Sequence, residues 1–352
     1  MRALVIHGKD DLRVEEVPTP EAGEGQVRLR MAYGGICGSD LHYWAHGANG
    51  EFVVREPLVP GHEVVGVVET DPAGELAPGT PVTLHPATFG TSQPGVEDAP
   101  HLWPGGAYLG SASTTPHTQG GMSELLVVRR DQVRVLPADL PLRRAALAEP
   151  LAVALHGVAM AGLALDGTPV VEGARVLVSG SGPIGLLAVA AALARGAAEV
   201  VATDVLTGPL ERARAVGAAS TLQVGVDEVP AGAFDLVLEC SGVPAAVSTA
   251  LAAVRRRGTV VQVGMVPNEP RPVNLAPFIS KEATVRGSFR FLDEVDEAVR
   301  LLAAEPGIGS VVTHVLPADD AVVAFRTAAD STVSGKVLVD LWGGDPAAGA
   351  AA

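Results

Sequence analysis

Cysteine is scarce: Cys37 and Cys240 are the only two in 352 residues. Two cysteines build no disulfide framework, which suits a reducing compartment, and they cannot supply a four-cysteine metal site. Cations are also short, with 25 Lys and Arg against 40 Asp and Glu and a net charge of −15. A chain with that balance lacks the basic surface that nucleic-acid phosphates require. Long apolar runs are missing too. The longest, "IGLLAVAAALA" from Ile184 to Ala194, cannot span a bilayer. The opening "MRALVIHGKDDLRVEE" turns charged too early for a secretory signal. No internal repeat is present. Together these absences predict a soluble, cytoplasmic protein with neither a membrane nor a nucleic-acid partner.

What is present is an ordinary globular composition, 47% hydrophobic and 18% charged, with length for about two domains. Up to residue 150 the chain is rich in Gly, Pro and short β-branched runs. "ALVIHG", "QVRLRMAYGG" and "HEVVGVVET" read as strands between turns. From Leu151 compact apolar runs, "RVLVSG", "EVVATD", "FDLVLECSG" and "TVVQVGM", alternate with alanine-rich helical segments. Near-continuous hydrophobic strands alternating with helices predict a doubly wound parallel sheet. Beyond Phe289 the texture turns mixed and ends in the strand-like "GKVLVDLW". The expected layout is an α/β chain in which a β-rich domain (residues 1–150 and 290–352) flanks a dinucleotide-binding domain (151–289). The closing "GGDPAAGAAA" is of low complexity and is expected to fray.

The clearest local motif is "VLVSGSGPIGLLAVAAALARG". Gly180, Gly182 and Gly185 form G-x-G-x-x-G between a strand and a helix. Such glycines permit the turn, the approach of a pyrophosphate and close helix–strand packing, and Pro183 suits the first helical turn. Asp204 ends the next strand about 20 residues on, where an acid binds the adenine ribose. A carboxylate there repels a 2′-phosphate, and no arginine follows immediately, Arg212 lying eight residues on. The spacing therefore predicts NAD over NADP.

Oxidising an alcohol requires an acidified hydroxyl, and zinc bound by three Cys, His or carboxylate ligands does this. The candidate ligands are Cys37 in "GGICGSDLHYW", His62 and Glu63 in "PGHE", and Glu149 in "LAEPLAVALHG". Each also has an ordinary explanation, as a core thiol, a turn histidine or a solvated carboxylate, and spacing alone does not unite them. The glycines around Cys37 predict a tight loop, since they are poor material for a buried helix.

"GGICGSDLHYW", "VPGHEVVG", "AEPLAVALH", "GSGPIG" and "RGSFRF" occur in the order found in the zinc-containing medium-chain alcohol/polyol dehydrogenases, and the likeness covers nearly the whole chain. It resembles most closely the sorbitol dehydrogenase and L-idonate 5-dehydrogenase branch. "YLGSA", "PHTQGGMSELLVV" and "VVQVGM" lean toward the idonate enzymes. The resemblance implies a GroES-like catalytic domain from both chain ends, a Rossmann NAD domain between them, and a homo-oligomer, a tetramer before a dimer. It implies Cys37, His62 and Glu63 as zinc ligands, with Glu149 nearby, either ligating directly or through water. Ser39 would take the substrate proton, and His42 would relay it toward solvent through the cofactor ribose. Gly180, Gly182, Pro183, Ile184, Gly185, Asp204 and Val263 would hold NAD; Tyr43, Arg290 and Phe291 would face substrate. The implied reaction is oxidation of a sugar acid, L-idonate to 5-ketogluconate in type, with a sorbitol- or xylitol-type polyol as the alternative. Two rivals are a zinc-free quinone-type reductase on the same fold and a catalytically silent NAD-binding protein.

One departure matters. The lobe that carries a second, structural zinc in many relatives reads "HPATFGTSQPGVEDAPHLWPGGAYLG" here and contains no cysteine. One zinc per chain is therefore expected. His85, His101 and His117 read as surface or turn residues, and Cys240 reads as a buried thiol at a strand end.

Overall fold

In the computed structural model, which describes residues 1–164, 167–342 and 344, the chain opens with an antiparallel hairpin of β1 (Arg2–Gly8) and β2 (Asp11–Glu16). It then enters β3 (Gln26–Gly35), helix α1 (Gly38–His46), β4 (Glu63–Thr70), β5 (Pro81–Leu84), β6 (Leu125–Arg129), β7 (Val133–Val135) and helix α2 (Ala148–Ala159). β3 is the spine: it pairs antiparallel with β4 along one side and with β6 over its first half. The alternation "VRLRM" turns Val27, Leu29 and Met31 into the core, the period-2 pattern of a strand with one buried face.

The glycines before Cys37 lie at the end of β3 rather than in a loop. Gly35 pairs with Glu63 in the ladder, and a side chain at Gly35 would collide with the Glu63 carboxylate. The predicted loop after Cys37 is corrected: the chain turns helical at once, with Cys37 as the N-cap of α1. The Asp40 carboxylate at N3 accepts a hydrogen bond from Cys37 N (2.9 Å), closing the first turn from within. Burial of Tyr43, with Leu41 and Trp44 packed against the same core, outweighs the weak helix propensity of Gly38.

The chain continues through β8 (Arg175–Ser179), α3 (Pro183–Ala194), β9 (Glu199–Asp204), α4 (Thr207–Ala215), β10 (Ser220–Gln223), β11 (Phe234–Glu239), α5 (Pro244–Ala253), β12 (Val254–Gln262), β13 (Thr284–Gly287) and α6 (Val295–Ala304). The six strands are parallel in the order β10-β9-β8-β11-β12-β13. The order reverses between β8 and β11, the place where such sheets bind ligands. α3 is buried on every side from Gly185 to Ala192, as its unbroken apolar sequence requires. Leu177, Val201, Phe234, Val237 and Val260 form part of the core of this sheet.

The final elements are β14 (Val312–Pro317), α7 (Ala321–Ala329) and β15 (Lys336–Asp340). β15 pairs antiparallel with the end of β3, Leu338 opposite Gly35, and β14 lies parallel beyond it. The first sheet thus reads β7-β5-β4-β3-β15-β14, with β6 also on β3. The chain divides into two compact units, one of residues 1–149, 302–330 and 336–352, the other of 150–301 and 331–335. The "GGDPAAGAAA" tail, apart from Gly344, lies outside the described residues. Among those described, no helix is long and apolar enough to cross a membrane.

Candidate metal centre and dinucleotide turn

In the first unit three features of the fold converge. β3 delivers Cys37 just past its end, the turn before β4 delivers His62, and Glu63 is the first residue of β4. One ligand atom from each of Cys37, His62 and Glu63 lies within 4.8 Å of the others, the only such group found among the described residues. Glu149 is close enough that its charge acts on His62, and it is held from the other side by the Tyr108 hydroxyl, which donates to Oε1 at 2.6 Å. The Tyr108 ring also packs edge-on against His62, centroids 5.3 Å apart.

The electrostatics call for a cation. Burial opposes charge on His62, yet Cys37, Glu149 and Asp40 outweigh it and raise its pKa to about 10. Burial raises the pKa of Glu149 and of Asp40. His62 Nδ1 is buried without a hydrogen-bond partner. A soft thiolate, an imidazole and a carboxylate form a donor set suited to zinc, and an orphaned buried nitrogen beside them fits a ligand role. The residues present therefore fit the metal.

Sequence reasoning missed two groups that shape this centre. Lys336 opens β15; its ammonium donates to Glu63 Oε1 (2.7 Å) and to Ile36 O (3.0 Å), and both side chains are almost fully buried. Nothing local marked it, because the lysine stands far along the chain at the head of an apolar strand. Asp40 is 0% exposed and accepts from Cys37 N and from Gly61 N (3.3 Å), which ties the Cys37 and His62 segments together. The spacing of a carboxylate three residues after an N-cap was the available signal.

Ser39 and His42 both lie on α1, Ser39 half-buried and His42 exposed with its ring 5.6 Å from that of His46. Partial burial and the neighbouring His46 lower the pKa of His42. Tyr43 is buried, and its hydroxyl is held by Ala112 N (3.1 Å) and Ser111 Oγ (3.3 Å). His85 and His117 correct their reading as surface or turn residues: both lie in irregular segments between strands and are buried. His117 uses both ring nitrogens, Nδ1 on Thr114 O (2.8 Å) and Nε2 on Arg55 N (3.0 Å). The cysteine-free lobe folds on protein contacts, among them Trp103 Nε1–H to Val96 O (2.7 Å).

In the second unit the glycine motif forms the expected turn. Gly180 has φ +89, a backbone that favours glycine. A side chain at Gly185 would strike Gly180 O, while Gly182 has open space where its Cβ would point. Pro183 begins α3, with Ile184 behind it. Asp204 ends β9 and accepts from Ser181 N (2.9 Å) and Leu206 N (3.0 Å), which binds acid and glycine turn into one piece. Unfilled space over Gly182, at the N-terminus of a 12-residue helix, fits a dinucleotide pyrophosphate. Val263 follows β12 and donates to Glu239 O (2.8 Å). Arg290 has φ +53 and stacks on Phe289, 4.8 Å from the ring centre. Phe291 is 1% exposed, so it is a core residue rather than a surface one. Cys240 is half-buried, and burial raises its thiol pKa, as for an inert strand-end thiol.

Comparison with known proteins agrees with this anatomy. The alcohol dehydrogenase GroES-like domain family matches residues 23–138, and the zinc-binding dehydrogenase family matches residues 183–304. The chain is 37% identical to a sorbitol dehydrogenase of Gallus gallus over 92% of each chain. It is 35% identical to an L-idonate 5-dehydrogenase (NAD(P)(+)) of Escherichia coli, over 96% of this chain and 97% of the relative. The crystal structure of L-idonate 5-dehydrogenase from E. coli superposes with a TM-score of 0.89 at 34% identity, covering 97% and 98% of the two chains.

Proposed function

The chain belongs to the zinc-binding, NAD(P)-dependent medium-chain alcohol dehydrogenase family, among its polyol and sugar-acid dehydrogenases, and from that premise we propose that it oxidises a secondary hydroxyl of a sugar acid of the L-idonate type, with NAD as hydride acceptor. The observation that carries this reading is the Cys37–His62–Glu63 cluster, its cysteine half-buried and its histidine and glutamate buried, a metal-ligand set of the kind alcohol oxidation needs. The same set argues against a zinc-free reductase on this fold.

Cys37, His62 and Glu63 would hold one zinc, with Glu149 beside it. When bound, the metal supplies Lewis acidity that makes a hydroxyl acidic near neutral pH. Lys336 fixes the Glu63 carboxylate, and Tyr108 fixes Glu149. Asp40 holds the Cys37 and Gly61 backbones in register. Ser39 would take the proton that the substrate hydroxyl gives up while handing its own hydroxyl proton on toward His42, exposed on the same helix, which would release it to solvent. The Gly180–Gly185 turn takes the pyrophosphate, and Asp204 takes the adenine ribose.

Arg290 is the candidate partner for the substrate's terminal carboxylate, through a charge-assisted hydrogen bond. Preference for the acid rests on the structural likeness to the E. coli idonate enzyme; the arginine does not by itself separate an acid from a polyol. The sorbitol dehydrogenase relatives favour the alternative, a neutral polyol. We also infer a homo-oligomer: β13 is an edge strand exposed along its whole length, and such an edge invites pairing with a second copy.

A panel of aldonates and polyols, followed by NADH absorbance, tests the assignment. A higher kcat/KM for idonate than for sorbitol or xylitol supports it. Sorbitol as the better substrate moves the assignment to a polyol dehydrogenase.

A further inference from the structure

At the C-terminal end of β11 the structure buries a carboxylate that the chemistry above does not use. Glu239 is 0% exposed, and no lysine or arginine among the described residues forms an ion pair with it. Its four partners are all donors. Oε1 accepts from Ser241 N (2.9 Å) and from the Ser241 hydroxyl; Oε2 accepts from Gly242 N (3.0 Å) and from Gln262 Nε2. Four donors around two oxygens complement a carboxylate, whose oxygens only accept.

The network joins two loops. Ser241, Gly242 and Val243 follow β11, and the Ser241 hydroxyl in turn accepts from Val243 N (3.1 Å). Val263, Gly264 and Met265 follow β12. Gln262 Nε2 also donates to Gly264 O (2.8 Å), and the backbone nitrogens of Val263 and Gly264 donate to Glu239 O, both at 2.8 Å. The loops also touch directly, for a side chain on Gly264 would strike Gly242 N and one on Gly242 would strike Met265 O. Across the reversal point the contact continues, since a Cβ on Gly180 would lie 2.8 Å from Ser241 Cβ. Ser179, at the end of β8, pairs with Glu239 itself. Two loops at the ligand-binding edge of the sheet are therefore joined around one carboxylate, and the glycine turn after β8 packs against the first of them at Ser241.

We propose that Glu239, acting through Ser241, Gly242 and Gln262, is a positioning residue that sets the height of the two loops receiving the nicotinamide half of the dinucleotide. The division of labour follows from strand order. Asp204, the adenine-ribose acid, stands on β9 on one side of β8, whereas β11 and β12 lie on the other, and the two mononucleotides of a dinucleotide occupy the two halves. A glutamine at position 239 has the same size but turns an amide NH₂ toward donors, so at least one loop contact is lost and the loops shift.

This inference rests on the dehydrogenase reading, and the test separates the two. NADH and AMP binding are measured by calorimetry on the full-length wild type, Glu239→Gln and Gln262→Ala, with a thermal melt to show that each is folded. Wild-type protein that fails to bind NADH overturns the dehydrogenase reading and the inference with it. With wild type binding, the expected result is an NADH Kd raised about tenfold in both variants, the loss of one hydrogen bond to a charged group, and an AMP Kd within about twofold of wild type. Folded variants that bind NADH as wild type does, or that lose NADH and AMP in equal proportion, overturn the positioning role alone. Gln262→Ala removes only the link between the carboxylate and Gly264, and it decides the matter if Glu239→Gln does not fold.

Discussion

The Lys336 ammonium lies 2.7 Å from Glu63 Oε1, with side chains only 3% and 1% exposed. Cation and carboxylate come from opposite ends of the chain and meet because β15 and β4 flank β3. Removing one partner of a buried pair leaves an uncompensated charge, at a cost of about 3–5 kcal/mol.

Lys336→Ala is therefore expected to lower the melting temperature by many degrees. Added zinc is expected to restore part of the loss, because a bound cation gives Glu63 a new counter-charge and binding stabilises the folded state. Thermal melts with and without zinc check this. A variant that melts as wild type does would show that the pair contributes nothing.

Much of this was legible in the sequence. The four strands after Leu151 and the glycine turn were readable because continuous apolar runs and G-x-G-x-x-G are local signals. The candidate ligands were readable one by one, though only the ladder of β3 and β4 brings Cys37 and Glu63 together. Helix α1 was missed because its stability comes from burial of Tyr43 and from Asp40, which override glycine propensity. Lys336 and Glu239 were missed for a related reason: their meaning lies in partners that strand pairing supplies.

His156 Nδ1 and Glu294 Oε1 are 2.7 Å apart in the second unit. Burial opposes charge on Glu294, but His156 and the Leu292 amide outweigh it and lower its pKa to about 2, against 4.5 for a free side chain. A carboxylate depressed on folding stabilises the protein above its unfolded pKa, and that stability is lost as pH falls from about 4.5 toward 2. Urea midpoints across this window should fall more steeply for wild type than for Glu294→Gln, by on the order of 1–3 kcal/mol in total. Parallel profiles would remove the linkage.

Asp204→Ala deletes the acceptor for the adenine ribose and the charge that disfavours a 2′-phosphate. The NAD Kd is expected to rise about tenfold while NADP binding improves relative to NAD. Calorimetry with both dinucleotides measures this, and an unchanged preference would assign discrimination to another residue.

Arg290→Ala is expected to cost an aldonate about 1.5–3 kcal/mol in kcat/KM, and a neutral polyol less, if a charged hydrogen bond to the acid is lost. Steady-state kinetics on both substrate classes read the difference. Equal losses would make Arg290 a structural residue.

The most direct measurement is elemental analysis of the purified protein beside Cys37→Ser, with dehydrogenase activity recorded on the same samples. One zinc per wild-type chain, with metal and activity both lost from the variant, is the predicted result. Wild-type protein without stoichiometric zinc, together with a fully active Cys37→Ser, would contradict the assignment of Cys37, His62 and Glu63 as a catalytic metal centre.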